Sequence, residues 1–263
     1  LLSRIHKIKT IGTPYSFATK SQHFAFSRFA KLIEDFVYGK IDKIIFETHE
    51  NELKAKEIRG LSFSNSDVIN TGVSVPENVY FFDHKKKVIN LFFVGRIVKI
   101  KALDNLILAF DKLEKKIRDQ VRLHIIGEGE MQEELETLIK RKNLDNFIKM
   151  HGFVEKLEPF YKKSDIFILP SDMEGLSISL LEAMSFGKAC IVNNFGVPFQ
   201  KDEVFIMENN KDETIASSIS YLIRNRSEIK KIGKKARARI ISDFSIKSFS
   251  KKYVDTYTEL ASQ

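Results

Sequence analysis

A single cysteine stands in the 263 residues, Cys190, so no disulfide can close within the chain, and its place in the apolar run Ala189 to Val192 marks it as core material rather than a nucleophile. No stretch of about 18 apolar residues is present to span a membrane, and the first residues lack the charged-then-apolar layout of a signal peptide. The expectation is a cytoplasmic protein. The six histidines, His6, His23, His49, His84, His124 and His151, show no metal-ligand spacing, and no glycine-rich loop ends in Gly-Lys-Ser or Gly-Lys-Thr. Gly127-Glu128-Gly129 imitates the start of a dinucleotide-binding turn, but Gln132 stands where a third, small residue is needed, so nicotinamide binding is not expected.

What is present is ample apolar material, 43% of the chain, enough for one large or two modest cores. Forty-three Lys and Arg against 35 Asp and Glu leave a net charge of +8, which favours anionic partners: nucleic acid, anionic lipid or phosphorylated metabolites. The aromatics are mostly Phe inside apolar runs, unlike the exposed stacking platform of a nucleic-acid binder, and nucleic acid is set aside on that ground.

Up to about Val75 the pattern reads as a short basic segment, a Phe-rich helical stretch around His23 to Phe36, a strand at Lys43 to Phe46, a helix at Asn51 to Arg59 and a strand near Asp67 to Ile69. Asn70, Thr71 and Gly72 make a turn, and Pro76 to Lys87 has the composition of a linker. Beyond it strands and helices alternate: strand Val88 to Val94, helix Leu103 to Ile117, strand Val121 to Ile126, helix Met131 to Lys142, strand Phe147 to Met150, helix Leu157 to Lys163 and strand Ile166 to Leu169. Strands Ala189 to Val192 and Val204 to Met207 follow, then helices near Thr214 to Arg224, Ser227 to Phe244 and Ser248 to Leu260. Such alternation predicts an α/β protein with a parallel, doubly wound sheet. The division expected is a partial domain at 1–80 and a larger one at 81–263, with the last helix, about 246–261, as a segment that could return to the first domain.

The richest stretch is Pro170 to Gly187. It opens a helix whose expected inward positions are Ile178, Leu181 and Met184, with Gly175, Leu176 and Ser177 as its first turn, where unpaired N–H groups and the positive dipole end favour a phosphate. Glu182 interrupts the apolar helix and needs a polar partner, while Glu174 lies before it. Ser177 to Glu182 spans roughly 7 to 8 Å at ~1.5 Å per residue, so the two carboxylates could flank a phosphate-bearing ligand such as a nucleotide sugar. At the end of the first regular strand, Gly95-Arg96 and then Lys101 offer a planar donor fork and a compact charge for a diphosphate. Gly127 and Gly129, then His151-Gly152, end two further strands on the same edge. Asp172-Met173-Glu174 has the spacing of an acidic metal-binding pair, a reading discounted because the acids precede a helix end already suited to phosphate.

Gly95-Arg96 with Lys101, Gly127-x-Gly129, His151-Gly152-Phe153, Ser164-Asp165 before a strand, and Pro170-Ser171 with Glu174-x7-Glu182-Ala183-Met184 occur in order over about Ile89 to Gly196. The set resembles the retaining glycosyltransferases of family 4, which have the GT-B fold, and Val68 to Val73 is similar to that family's approach to its interdomain linker. The resemblance implies a C-terminal Rossmann-like domain that holds a sugar nucleotide and an N-terminal one that presents a glycan or lipid-linked acceptor. It implies Arg96 and Lys101 on the diphosphate, Glu174 on donor-sugar hydroxyls, Glu182 on the ribose, and amides of Gly175, Leu176 and Ser177 on phosphate and sugar. Gly95, Gly127, Gly152 and Phe153 complete the donor-binding set, with Glu174, Arg96 and Lys101 carrying catalysis. No metal and no cofactor besides the donor is implied, and the expected setting is polysaccharide or glycan synthesis in the cytoplasm, with peripheral contact to an anionic inner membrane face as an option. The family's paired glycines stand here as Gly196-Val197, the loop over Pro198 to Asn210 is short, and Tyr15 occupies a place where many members carry histidine. The linker arrives after about 75 residues, so the opening strands of the N-terminal domain are expected to be missing. The alternative is a non-catalytic module that binds nucleotide sugars or phosphate.

Overall fold

The computed structural model describes residues 8–14, 36–59, 65–79, 81–195 and 197–262. The Phe-rich stretch read around His23 to Phe36 lies outside these residues up to Phe36, as do Tyr15 and Gly196. The chain forms two compact units, Leu1–Gly72 with Ile246–Gln263, and Val73–Ser245. The division therefore falls after Gly72 rather than at 80. Val73, beside the stretch with linker composition, and Phe82, within it, bury their side chains in the core of the second unit, which composition alone does not reveal.

In the first unit, strands β1 (Ile11–Gly12), β2 (Lys43–Phe46) and β3 (Ser66–Val68) pair in parallel in that order. Helix α1 (His49–Arg59) joins β2 to β3 and buries Ala55 against Ile44 and Phe46. Asp42 ties β1 to β2 by accepting from the backbone N–H and hydroxyl of Thr10, each at 2.8 Å, and these bonds hold its carboxyl below the ordinary aspartate range.

The second unit is built on six parallel strands: β4 (Ile89–Val94), β5 (Val121–Ile126), β6 (Ile148–Met150), β7 (Ile166–Leu169), β8 (Ala189–Asn193) and β9 (Phe205–Met207). Their order across the sheet is β6-β5-β4-β7-β8-β9. Winding goes one way from β4 to β6 and reverses between β4 and β7, and the crevice beyond the carboxyl ends of those two strands is where an open α/β sheet takes its ligand. Helices α2 (Leu103–Lys112), α3 (Lys115–Arg118), α4 (Gln132–Arg141), α5 (Glu158–Lys163), α6 (Ile178–Ser185), α7 (Asp212–Arg224) and α8 (Arg226–Asp243) surround the sheet, with α7 against α2 and α8 against α6 and β8. Helix α9 (Ile246–Ala261) belongs to the first unit. Strands β7 and β8 are buried along their whole length, as continuous Ile, Phe, Leu and Val runs require.

Two expectations are corrected. The single helix read over Leu103 to Ile117 is interrupted at Leu113, whose extended backbone (ψ 134°) turns the chain toward β5. Leu113 and Ile117 stay buried across the break, so apolar spacing reads the same with or without it. The inward stripe of α6 is Leu180, Leu181, Ala183 and Met184, while Ile178 is 47% exposed because the helix starts with it, at the rim of the sheet. Among the described residues no helix is long and apolar enough to cross a membrane.

Candidate active site

Loops leaving β4, β5 and β6 are stitched edge to edge. Gly95 N–H donates to Ile126 O (3.1 Å), Gly127 N–H to Gly152 O (2.8 Å), and Ile97 N–H to Glu128 O (2.8 Å). The stitching requires glycine at 127: its φ is +133°, and a Cβ there would lie 1.9 Å from the carbonyl oxygen of Gly95. Between these loops opens a cleft of about 270 Å³. Val94 and Ile126 form its floor, Gly95 and Gly127 supply backbone, Phe153 and Leu157 form a wall, and Arg96 and Glu128 stand at the mouth. Phe153 is 72% exposed, an apolar ring left open beside backbone polar groups. Its N–H donates to Glu128 Oε1 at 3.2 Å, which fixes the wall to the β5 loop. Arg96 is exposed and makes no hydrogen bond or ion pair with other described residues, so its donor fork is available.

Across the switch point, the chain after β7 meets the loop after β4. Asp172 N–H donates to Ile100 O (2.9 Å), and the short helical turn Lys99–Lys101 ends in Ala102, whose left-handed φ of 49° bends the chain into α2. Lys101 forms an ion pair with Glu174, and the two side chains are 14% and 13% exposed. Glu174 Oε1 also accepts from Ser171 Oγ (2.8 Å), and Ser171, fully buried, accepts at its carbonyl from Asn193 Nδ2 (2.9 Å). Glu174 is thus aimed by a short chain of groups from β8. Asp172 is held differently, its Oδ1 accepting from Asn210 Nδ2 at 2.7 Å. No group of three or more His, Cys, Asp or Glu among the described residues is arranged to hold a metal ion.

Ser177 is the N-cap of α6 rather than part of its first turn; its hydroxyl accepts from Leu180 N–H at 3.4 Å, and Gly175 and Leu176 precede the helix. A Cβ at Gly175 would meet nothing within 4 Å. The polar partner required by Glu182 is Tyr161, whose hydroxyl donates to Glu182 Oε2 at 2.7 Å. Tyr161 is buried, edge-on to Phe92 and stacked on Phe186, and burial, reinforced by the Glu182 charge and hydrogen bond, pushes its phenol far above the ordinary range. The sequence gives no sign of this partner, because Tyr161 and Glu182 stand on different helices, α5 and α6, which only the fold brings together.

His151 is not the lone histidine that its motif suggests. Its Nε2 lies 2.9 Å from Nδ1 of His124 in β5, and its ring is edge-on to Phe160. Burial lowers the pKa of both, aided for His151 by His124 and for each by Lys149. Both are therefore held neutral in the fold, and their contribution is complete above the unfolded value of about 6.5 and is lost as pH falls below it toward the lowered folded values. Urea midpoints are expected to drop between about pH 7 and 5.5, and His124→Gln is expected to flatten that slope; an unchanged slope in the variant assigns the acid sensitivity elsewhere.

The fold is of the GT-B class. A superposition over 98% of this chain and 74% of the other relates it to Anabaena HepE, crystallised in complex with UDP, with a TM-score of 0.82 at 17% identity. The family model for glycosyl transferases group 1 matches residues 77–239, and the chain belongs to that family. An uncharacterized glycosyltransferase of Methanocaldococcus jannaschii is 32% identical over 87% of this chain and 55% of its own length. The poly(ribitol-phosphate) alpha-N-acetylglucosaminyltransferase of Staphylococcus aureus is 25% identical over 62% of this chain and 34% of its own. The chain spans about half the length, or less, of these curated relatives.

Proposed function

We propose that the chain carries the donor-binding machinery of a retaining, metal-independent glycosyltransferase that moves a sugar from a nucleoside diphosphate sugar to an acceptor hydroxyl in glycan synthesis. The observation that carries this reading is the meeting of a free guanidinium, an ammonium–carboxylate pair and a capped helix start at the reversal of strand order. The cleft against Phe153 suits a nucleobase, whose ring covers exposed aromatic surface while backbone of the Gly95 and Gly127 loops approaches its edge. Arg96 and Lys101 then meet the diphosphate, one as a fork and one as a point charge. Glu182, one oxygen held by Tyr161, accepts from ribose hydroxyls with the other, and Glu174 accepts from hydroxyls of the sugar. Gly175 has open space around it, so its glycine is not demanded by the protein's own packing; it lets the ligand approach the backbone before α6.

In the reaction, the bond between anomeric carbon and phosphate oxygen breaks with its electron pair passing to the diphosphate. The acceptor oxygen attacks from the face the diphosphate leaves, and its proton passes to a leaving phosphate oxygen, which gives retention. Arg96, Lys101 and the N-terminus of α6 stabilise the charge that develops, a task that fixed donors perform without reorganisation. Relatives include a UDP-Gal:alpha-D-GlcNAc-diphosphoundecaprenol alpha-1,3-galactosyltransferase of Escherichia coli, and a lipid-linked or glycan acceptor at a membrane face fits the reading.

Calorimetry with UDP, GDP and ADP and their glucose and N-acetylglucosamine conjugates, in EDTA, tests the proposal. At least one is expected to bind, more weakly as salt rises, and Arg96→Ala is expected to cost about 1.5 to 3 kcal/mol of affinity, the range for hydrogen bonds to charged groups. Absence of binding by every donor would sink the reading, and affinity that requires added manganese would sink metal independence.

A further inference from the structure

We propose that one face of strands β5 and β6 carries an anion site apart from the donor cleft, in which Arg118, Arg122 and Lys149 hold a phosphate group beside the His124–His151 pair. Strand β6 is an edge of the six-stranded sheet, and its register sets Lys149 opposite His124. Side chains alternate along a strand, so Arg122 and His124 of β5 share one face with Lys149 and His151. Phe147, just before β6, lies under two guanidiniums, with Cζ of Arg118 5.4 Å and Cζ of Arg122 5.1 Å from its ring centroid. None of these residues lines the cleft against Phe153.

Two guanidiniums over one ring repel each other unless an anion joins them. Arg224 and Arg239 of the same unit each have a carboxylate partner, whereas Arg118 and Arg122 have none among the described residues. Asp119 stands between them in sequence and pairs with neither, and Asp111 is taken by Lys142 at 2.7 Å. Arg118 uses Nη1 on the Asp111 carbonyl at 3.4 Å, and its buried Nε finds no partner. Arg122 uses Nη1 on the carbonyls of Asp119 (3.3 Å) and Val121 (2.7 Å), so Nη2 of both arginines is open to a ligand. Lys149, exposed, adds a third charge, and after burial it contributes to the lowered pKa of both histidines, on which no carboxylate acts. Helix α5 turns an uncharged ring, Phe160, to His151, while its own Glu158 and Lys162 pair with each other at 2.6 Å.

Three cations without a counter-charge exceed what one carboxylate neutralises. A phosphate group, with roughly −1.5 to −2 charges and three acceptor oxygens, matches them, and guanidinium forks grip such oxygens in pairs. An anion settled there also favours the protonated imidazoles, so binding takes up a proton. The phosphate belongs either to a soluble phosphate ester or to a lipid headgroup.

Imidazole NMR on the whole chain tests the site, with inorganic phosphate and glycerol 3-phosphate titrated against chloride at matched ionic strength. Sedimentation with phosphatidylglycerol in phosphatidylcholine vesicles forms the second arm. Phosphate is expected to shift the His124 and His151 resonances saturably and to raise their titration midpoints above those in chloride. Arg122→Gln and Lys149→Gln are each expected to weaken binding about tenfold, with thermal melts confirming that both variants fold and UDP calorimetry unchanged from the unaltered chain. Binding of the soluble phosphates assigns the site to a soluble ester, and binding of vesicles alone, weakened in both variants, assigns it to a headgroup; either supports the proposal. Shifts no larger than in chloride without vesicle binding, or unchanged affinity in both variants, would overturn it. So would phosphate binding that Arg96→Ala abolishes and Arg122→Gln leaves intact, since the anion would then sit in the donor cleft.

Discussion

Replacing Lys101 with methionine is expected to lower transfer by about 10²- to 10³-fold in kcat, the cost of removing one preorganised stabiliser of developing charge. Methionine keeps the length and apolar volume of the stem and deletes only the ammonium. The deletion has two consequences that separate experimentally. Glu174 loses its ion-pair partner in a site where both side chains are largely covered, which destabilises the folded protein by up to about 3 kcal/mol, the low end for breaking a buried pair. Independently, on the donor-binding reading proposed above, the leaving diphosphate loses a positive charge that the fold holds in place, because Ser171 and Asn193 hold Glu174 and Glu174 holds Lys101. Melting temperature reads the first effect. Turnover per folded molecule at saturating donor reads the second. A variant that melts early but turns over normally would leave the pair a purely structural role.

Gly127→Ala is expected to disable the donor cleft outright, with a loss of about 3 to 5 kcal/mol in folding stability, where overpacking and strained backbone act together. The obstacle is a backbone oxygen 1.9 Å from the new methyl, and backbone cannot rotate aside as a side chain can. Relief requires that the loops after β4 and β5 part, which also breaks the bond from Gly127 N–H to Gly152 O. Gly175→Ala is the contrasting case. With nothing within 4 Å of the new methyl, it is expected to leave urea stability unchanged or raise it by about 0.4 to 1 kcal/mol, while weakening donor affinity by intruding on the ligand. Parallel urea titrations and UDP-sugar calorimetry on both variants check the pair. Normal stability and donor affinity in Gly127→Ala would contradict the geometry.

The period of the apolar residues foretells strands β2, β5 and β7 to the residue, because each is a short run of apolar or alternating type bounded by polar or glycine residues. Arg96, Gly127 and Phe153 lie far apart in the sequence, yet their shared position just beyond a strand end brought them to one cleft once the sheet was known to be parallel. What stayed hidden depends on register and on which helix lies over which strand. Tyr161 beneath Glu182 and His124 beside His151 are contacts between elements, and one sequence holds no trace of them. The split of the long helix at Leu113 was hidden for a different reason: a break that preserves the buried face leaves the period intact.

The second unit begins and ends at one point. Val73 N–H donates to Phe244 O at 2.8 Å, and Val73 bridges in parallel to Ser245. A segment of about 170 residues that enters and leaves through adjacent peptide groups can be cut out, or exchanged for a homologous segment, without stretching either flank. An exchange at positions near 73 and 245 therefore keeps both junctions side by side, so the second unit and the flanking remainder could be inherited from different parents.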